Sequence, residues 1–312
     1  MKEDALVDRI SIVVPCYNEE ETLDYFYEAI KELGEKLEDA EVEIIFVDDG
    51  SKDRTYEKMC ALHEKDSRIK CISFSRNFGK EAAIFSGLRG GSGDCFVVMD
   101  ADLQHPPETI LQMYAYWKEG YEVVEGIKEA RGKESGIHKC LACMFYGAIS
   151  RIMHVDMRNS SDFKLMDKKV AAAVCALTEK NTFFRALAYW VGFKSITVTY
   201  KVQERVAGKT KWSYWKLGTY ALKNLTSFTN APLQIVTVIG VLFLLLGAIW
   251  GVDAVISSIQ GRAVGGYPSI VLLIVIATGG IMVSLGIIGA YIAKIYDEIK
   301  NRPQYIIREK KD

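Results

Sequence analysis

Net charge is nearly absent from this chain of 312 residues, with 39 Lys and Arg against 40 Asp and Glu. Such a balance leaves no electrostatic footprint for nucleic acid, and no nucleic-acid partner is expected. An apolar leader is lacking too: Met1-Lys2-Glu3-Asp4 is charged, so a cleaved secretory signal is not expected. Paired cysteine motifs are scarce. The seven cysteines, at 16, 60, 71, 95, 140, 143 and 175, form an odd, scattered set that reduced cytosolic thiols explain best. Cys140 and Cys143 make a CxxC, but no second pair or His pair completes a zinc site. Glycine is missing from the Pro15–Glu20 turn, where a dinucleotide-binding fold places GxGxxG, which disfavours a nicotinamide enzyme. Gly208-Lys209-Thr210 looks like the end of a Walker A loop, but Gln203 stands where its first glycine belongs. A P-loop kinase is therefore disfavoured as well.

Charge is also unevenly spread. It is dense up to about Lys223, nearly vanishes until Lys294, and returns in a basic tail. Two solvents are implied. The first part alternates strand-like and helix-like segments. Strands are expected at Ile10–Val14, Val42–Val47, Ile69–Phe74, Cys95–Met99 and Glu122–Glu125. Helices are expected at Glu20–Leu37, Lys80–Leu88 and Glu108–Trp117. This alternation argues for an α/β fold with a mostly parallel sheet, which binds ligands at the C-terminal ends of its strands.

Two apolar runs follow, at about 233–256 and 270–295, each longer than the ~20 residues a bilayer crossing needs. The bland alternative is a pair of buried core helices, which the remaining chain is too short to cover. Basic residues flank the pair on the outside: Lys216 and Lys223 before it, Lys294, Lys300, Arg302, Arg308, Lys310 and Lys311 at its far end. The positive-inside rule puts both termini in the cytoplasm. Residues 211–228 carry Trp212, Trp215, Leu217, Tyr220, Leu225 and Phe228 at helical spacing, as an amphipathic helix in the headgroup region would. A plain surface helix is the alternative there. Gly280 and Ser284, and Gly286 and Ala290, are spaced for close packing between spans or protomers. The expected division is a catalytic domain over 1–210, the interfacial helix over 211–228, a two-span region over 229–296 and a basic tail over 297–312.

Chemistry concentrates at strand ends. Tyr17 offers a face on which a base can stack, and Asp49 can accept hydrogen bonds from a base or ribose. Asp100-Ala101-Asp102-Leu103-Gln104 follows the apolar Val97-Val98-Met99. Its oxygen donors suit Mg²⁺ or Mn²⁺, the remaining ligands coming from a diphosphate and water. Arg205, Lys209 and Lys211 form a cationic cluster suited to phosphate groups or to anionic lipid.

Together these segments resemble a known family. "VVPCYNE" over Val13–Glu19, "VDDGS" over Val47–Ser51, "SRNFG" over Ser75–Gly79 and "DADLQHPPE" over Asp100–Glu108 resemble glycosyltransferase family 2. "SDFKLMD" over Ser161–Asp167, "RVAGKTKW" over Arg205–Trp212 and the two C-terminal apolar runs resemble its polyprenyl-phosphate branch. That branch includes dolichol-phosphate mannose synthases and bactoprenol glucosyltransferases. The resemblance implies a GT-A fold and inverting transfer of a hexose, glucose from UDP-glucose first, to undecaprenyl or another polyprenyl phosphate. It implies that Pro15, Tyr17, Asn18, Glu19, Asp49, Ser51 and Asp100 hold the nucleotide. Asp100, Asp102 and Gln104 would bind Mg²⁺ or Mn²⁺. Arg205, Lys209, Thr210 and Lys211 would meet phosphates, with Asp102, Asp162 and Arg205 catalytic. A multi-pass protein of the cell membrane, homo-oligomeric among membrane lipids, is expected. His105 departs from a position where an acid is frequent, and Thr210 from a usual Ser. Two other readings stay open: a processive polysaccharide synthase, for which Arg185 and Trp190 form no QxxRW motif, and a non-enzymatic scaffold that binds sugar nucleotides.

Overall fold

The computed structural model describes residues 7–37, 39–129, 161–177, 183–202, 231–260 and 266–312. The chain divides into two compact units, Met1–Tyr214 with Arg302–Asp312, and Trp215–Asn301. The interfacial helix expected over 211–228 lies outside the described residues, as do Cys140, Cys143, Arg205, Lys209, Thr210 and Lys211.

The larger unit is built on an eight-stranded sheet. Its strands are β1 (Asp8–Cys16), β2 (Ala40–Asp48), β3 (Ile69–Phe74), β4 (Cys95–Val98), β5 (Val123–Lys128), β6 (Lys164–Asp167), β7 (Ser195–Tyr200) and β8 (Ile307–Lys311). They lie in the order β7-β5-β6-β4-β1-β2-β3-β8. β1 pairs in parallel with β2 and with β4, and β2 with β3. β6 runs antiparallel to both β4 and β5, and β8 antiparallel to β3. The sheet is thus mostly parallel. Ile10, Ile12, Val13 and Val14 of β1 are fully buried, as a central strand covered on both faces requires.

Helices α1 (Leu23–Lys36), α2 (Thr55–Lys65), α3 (Lys80–Gly90) and α4 (Thr109–Lys118) connect the first five strands. α5 (Lys168–Ala176) and α6 (Phe184–Trp190) lie between β6 and β7. On α1 the buried residues are Leu23, Phe26, Ile30 and Leu33, one helical stripe, and Phe26 meets Phe46 of β2 edge to face at 5.8 Å. α3 sits very close to β1. A Cβ added to Gly87 would fall 2.2 Å from Val13 Cγ1, so glycine is what allows that approach.

The parallel order turns at β1. The chain winds outward through β2 and β3, then returns to place β4 on the other side of β1. Loops after β1 and β4 diverge there, and the crevice between them is where such sheets take ligands.

The smaller unit contains two long helices, α7 (Ala231–Ile259) and α8 (Tyr267–Ile299). They cover both expected apolar runs. Within α8, Ile276–Ile299 is long and apolar enough to cross a membrane, with mean hydropathy 1.9 and no buried residue in its most apolar window. The corresponding stretch described in α7, Gly240–Asp253, is shorter. Gly280 lies against the Phe243 ring, so one small residue of the expected stripe packs helix on helix.

The tail differs from its expectation. Ile307–Lys311 is strand β8, so these residues extend the sheet rather than trail as a basic segment. Tyr305 stacks on Phe74 at 4.9 Å, and Arg89 donates to its hydroxyl at 3.3 Å. The charged alternation in Ile-Arg-Glu-Lys-Lys hid an edge strand, whose outer face needs little apolar surface. Tyr305→Ala is expected to destabilise the larger unit by about 1–2 kcal/mol through the lost stacking and hydrogen bond. Chemical denaturation with limited proteolysis of the C-terminus checks this; unchanged protection would show that β8 docks without the ring.

Candidate active site

The site is assembled from four strand ends. After β1 the chain turns through Tyr17 and Asn18, the latter at φ 55°, a left-handed conformation that Asn tolerates. After β2 comes Asp48-Asp49-Gly50-Ser51. Gly50, at φ 65°, packs so near Arg76 that a Cβ would fall 2.4 Å from its carbonyl carbon. The two loops are laced together. Asn18 N–H donates to Ser51 Oγ at 2.9 Å, Lys52 N–H to Asn18 Oδ1 at 2.9 Å, and Glu19 N–H to Thr55 Oγ1 at 2.9 Å.

These turns surround a cavity of about 380 Å³. Pro15, Cys16, Tyr17 and Glu19 line it from β1, and Asp49 from β2. Asn77, Gly79 and Lys80 come from the β3–α3 turn, and Asp100, Ala101 and Asp102 from the end of β4. Of the expected nucleotide residues, Pro15, Tyr17, Glu19, Asp49 and Asp100 share this cavity. Asn18 and Ser51 do not line it; their side chains bond loop to loop. Gln104 does not line it either, and its N–H donates to Asp102 Oδ1 at 3.1 Å.

Asp49 is buried. It accepts from Phe78 N–H at 2.6 Å and Gly79 N–H at 2.9 Å, which fixes the "SRNFG" turn to the end of β2. Burial outweighs these donors and pushes its carboxyl up to about 6.

A charged cluster occupies the β4 side. Lys80 Nζ, on the first residue of α3, lies 2.6 Å from Asp100 Oδ1 and 2.8 Å from Asp162 Oδ2. Arg185 of α6 donates to Asp162 through Nε at 2.7 Å and Nη2 at 3.0 Å. Burial opposes ionisation of both acids, yet the cations win and hold Asp100 below and Asp162 well below the ordinary carboxylate range. Asp162 is therefore a poor proton acceptor. Beneath it, Lys164 is fully buried against Glu125, which also accepts from the Tyr189 hydroxyl and from Ser161 N–H. This pair fixes the chain that presents Asp162.

His105 is buried and stacks on Phe163 at 4.9 Å. Burial lowers its pKa, so it is a neutral core ring, and its Nδ1 has no hydrogen-bond partner among the described residues.

Asp100 and Asp102 fit a hard divalent cation. Both are oxygen donors facing one cavity, and the Lys80 ammonium already rests as a cation against Asp100. No group of three or more His, Cys, Asp or Glu gathers at a metal site among the described residues. The protein would supply two carboxylates, and diphosphate oxygens and water the remainder, as Mg²⁺ and Mn²⁺ accept. Lys80 and Arg185 were missed by sequence reasoning as site residues, although Lys80 directly follows the "SRNFG" motif.

The family description Glycosyl transferase family 2 matches residues 11–174. The chain belongs to glycosyltransferase family 2. Its crevice and mostly parallel sheet are those of a GT-A-like fold. The uncharacterised glycosyltransferase YkcC of Bacillus subtilis is 40% identical, with 96% of this chain and 93% of that one covered. The prophage bactoprenol glucosyl transferase homolog of Escherichia coli is 39% identical, over 97% and 99% of the two chains. Such likeness places this family 2 chain in the polyprenyl-phosphate branch. Among solved structures, glucosyl-3-phosphoglycerate synthase from Mycobacterium tuberculosis, in complex with Mn²⁺, UDP and phosphoglyceric acid, is 18% identical with a TM-score of 0.49. That match covers 69% of this chain and 75% of the synthase.

Asp162→Asn leaves Lys80 and Arg185 facing a neutral amide and is expected to cost roughly 3 kcal/mol at pH 7. The depressed carboxyl contributes stability above its unfolded pKa of about 3.9 and loses it as pH falls below that value. Urea denaturation should therefore find a large gap between wild type and variant at neutral pH that narrows below about pH 4. A gap independent of pH would contradict the assigned ion pairs.

Proposed function

We propose that this chain transfers a hexose from a nucleotide sugar to a polyprenyl phosphate, inverting the anomeric carbon. UDP-glucose is the preferred donor and undecaprenyl phosphate the preferred acceptor. One observation carries the reading: Tyr17, Asp49 and the Asp100–Asp102 pair converge on one cavity at the sheet crossover. Similarity to proteins named bactoprenol glucosyl transferases, over 96–97% of the chain, supports the acceptor class.

Tyr17, 41% exposed at the cavity, stacks on the base of the donor. Asp49 holds the "SRNFG" turn and accepts from the base edge or ribose. Asp100 and Asp102 hold Mg²⁺ or Mn²⁺, which neutralises the leaving diphosphate when bound. An oxygen of the acceptor phosphate forms the new bond to the sugar C1 while the bond from C1 to the diphosphate oxygen breaks on the opposite face. The acceptor is largely ionised at neutral pH, its second pKa being about 6, so no strong base is needed. Asp162, held between Lys80 and Arg185, positions these cations instead of taking a proton. Arg205, Lys209, Thr210 and Lys211 contact the donor or acceptor phosphates, with Arg205 the catalytic cation.

The acceptor's lipid tail stays in a bilayer, so the catalytic domain must work at its surface. The apolar, exposed α8 and the long α7 serve as two membrane spans at about 233–256 and 270–295. Residues 1–210 and both termini face the cytoplasm, with 211–228 along the headgroups. A homo-oligomer in the cell membrane is part of the same reading.

Purified protein in detergent, given undecaprenyl phosphate, Mn²⁺ or Mg²⁺ and a panel of labelled nucleotide sugars, should move label into the organic phase from one donor. Chelation should stop transfer, and Asp102→Ala should lower it by at least about 10²-fold. Nucleotide binding without transfer from any donor would contradict the reading in favour of a scaffold.

A further inference from the structure

The Lys80 ammonium rests against one of the two carboxylates that would hold a metal in the cavity. It contacts Asp100 at 2.6 Å and Asp162 at 2.8 Å, while Arg185 donates to both oxygens of Asp162 and shares Oδ2 with Lys80. Lys80 and Arg185 offset the charges of Asp100 and Asp162, so Asp100 offers an entering metal less negative charge while Lys80 stays in place. A divalent cation entering beside Asp100 meets an ammonium within a few ångströms, a repulsion strengthened by the partly dry surroundings. A diphosphate entering with it supplies the missing negative charge. Lys80 is 41% exposed in its side chain and is one of the residues lining the cavity, so rotation of its flexible stem can carry the ammonium from Asp100 to a phosphate oxygen.

We propose that Lys80 is a positioning residue that makes metal binding conditional on the nucleotide diphosphate, holding Asp100 until both arrive. This rests on the reading of the cavity as the donor site. The order of loading matters chemically. A site that binds metal tightly alone would hold it after the nucleotide leaves. A site whose charge its own lysine offsets releases both together. Linkage requires the effect to be reciprocal: metal must tighten UDP by the factor by which UDP tightens metal.

The test is Mn²⁺ binding to the purified full-length protein, followed by loss of the free-ion paramagnetic resonance signal, with and without UDP. Wild type is expected to bind Mn²⁺ at least about tenfold more tightly with UDP. Lys80→Met should bind Mn²⁺ alone more tightly than wild type and show a smaller UDP effect, the part left being that of the diphosphate oxygens as metal ligands. Lys80→Arg, which keeps the charge, should restore the full effect. Circular dichroism on each variant guards against misfolding, and a misfolded Lys80→Met leaves the decision to Lys80→Gln under the same titration. Unchanged coupling in a folded neutral variant would overturn the role of Lys80 and leave the donor site standing. No Mn²⁺ binding by wild type even with UDP would overturn both.

Discussion

The contact between Lys80 and Asp100 is the constraint around which the site is arranged. It joins the first residue of α3 to the loop leaving β4, two segments that meet because β4 pairs beside β1. The same ammonium reaches Asp162, so the chain before β6 is drawn to the same point. Each partner needs its own support. Gly87 lets α3 lie on β1, Asp49 pins the turn that precedes α3, and the buried Lys164–Glu125 pair fixes the segment carrying Asp162. A buried acid between two cations is costly to assemble and more costly to break, which favours one arrangement of these loops over others.

Much of the fold was legible because the parallel strands are continuous β-branched runs. Ile69–Phe74 was expected and found over the same residues. Strands β1 and β2 extend further than expected, since Asp8, Arg9 and Asp48 pair in register despite their charge. α2 was not singled out: its buried residues are few, and Thr55, Met59 and Leu62 mark only a narrow stripe. β6 was also missed, and β7 was expected only as a strand of unstated bounds late in the domain. β6 buries a lysine, and β7 alternates exposed Ser and Thr with few core residues, so neither reads as a hydrophobic run. β8 was taken for a tail because an edge strand can be charged along its length.

Among the described residues, the site was legible in its carboxylates and not in Lys80 and Arg185. Asp49, Asp100 and Asp102 stand at strand ends in short motifs, where position alone suggests a role. Lys80 and Arg185 are unremarkable in sequence. Their significance comes from long-range contacts with Asp162, across separations of 82 and 23 residues, which no local spacing encodes. Asn18 and Ser51 illustrate the converse. They fall within strong motifs, but their side chains tie one loop to the other.

The central claim is that the cavity at the crossover holds the donor nucleotide with a divalent cation. Diffraction from crystals grown with Mn²⁺ and UDP, recorded at the manganese edge, tests it most directly. The account predicts one anomalous peak bounded by Asp100, Asp102 and the diphosphate, with the uracil ring against Tyr17. Manganese remote from both carboxylates, or UDP seated outside the cavity, would contradict it.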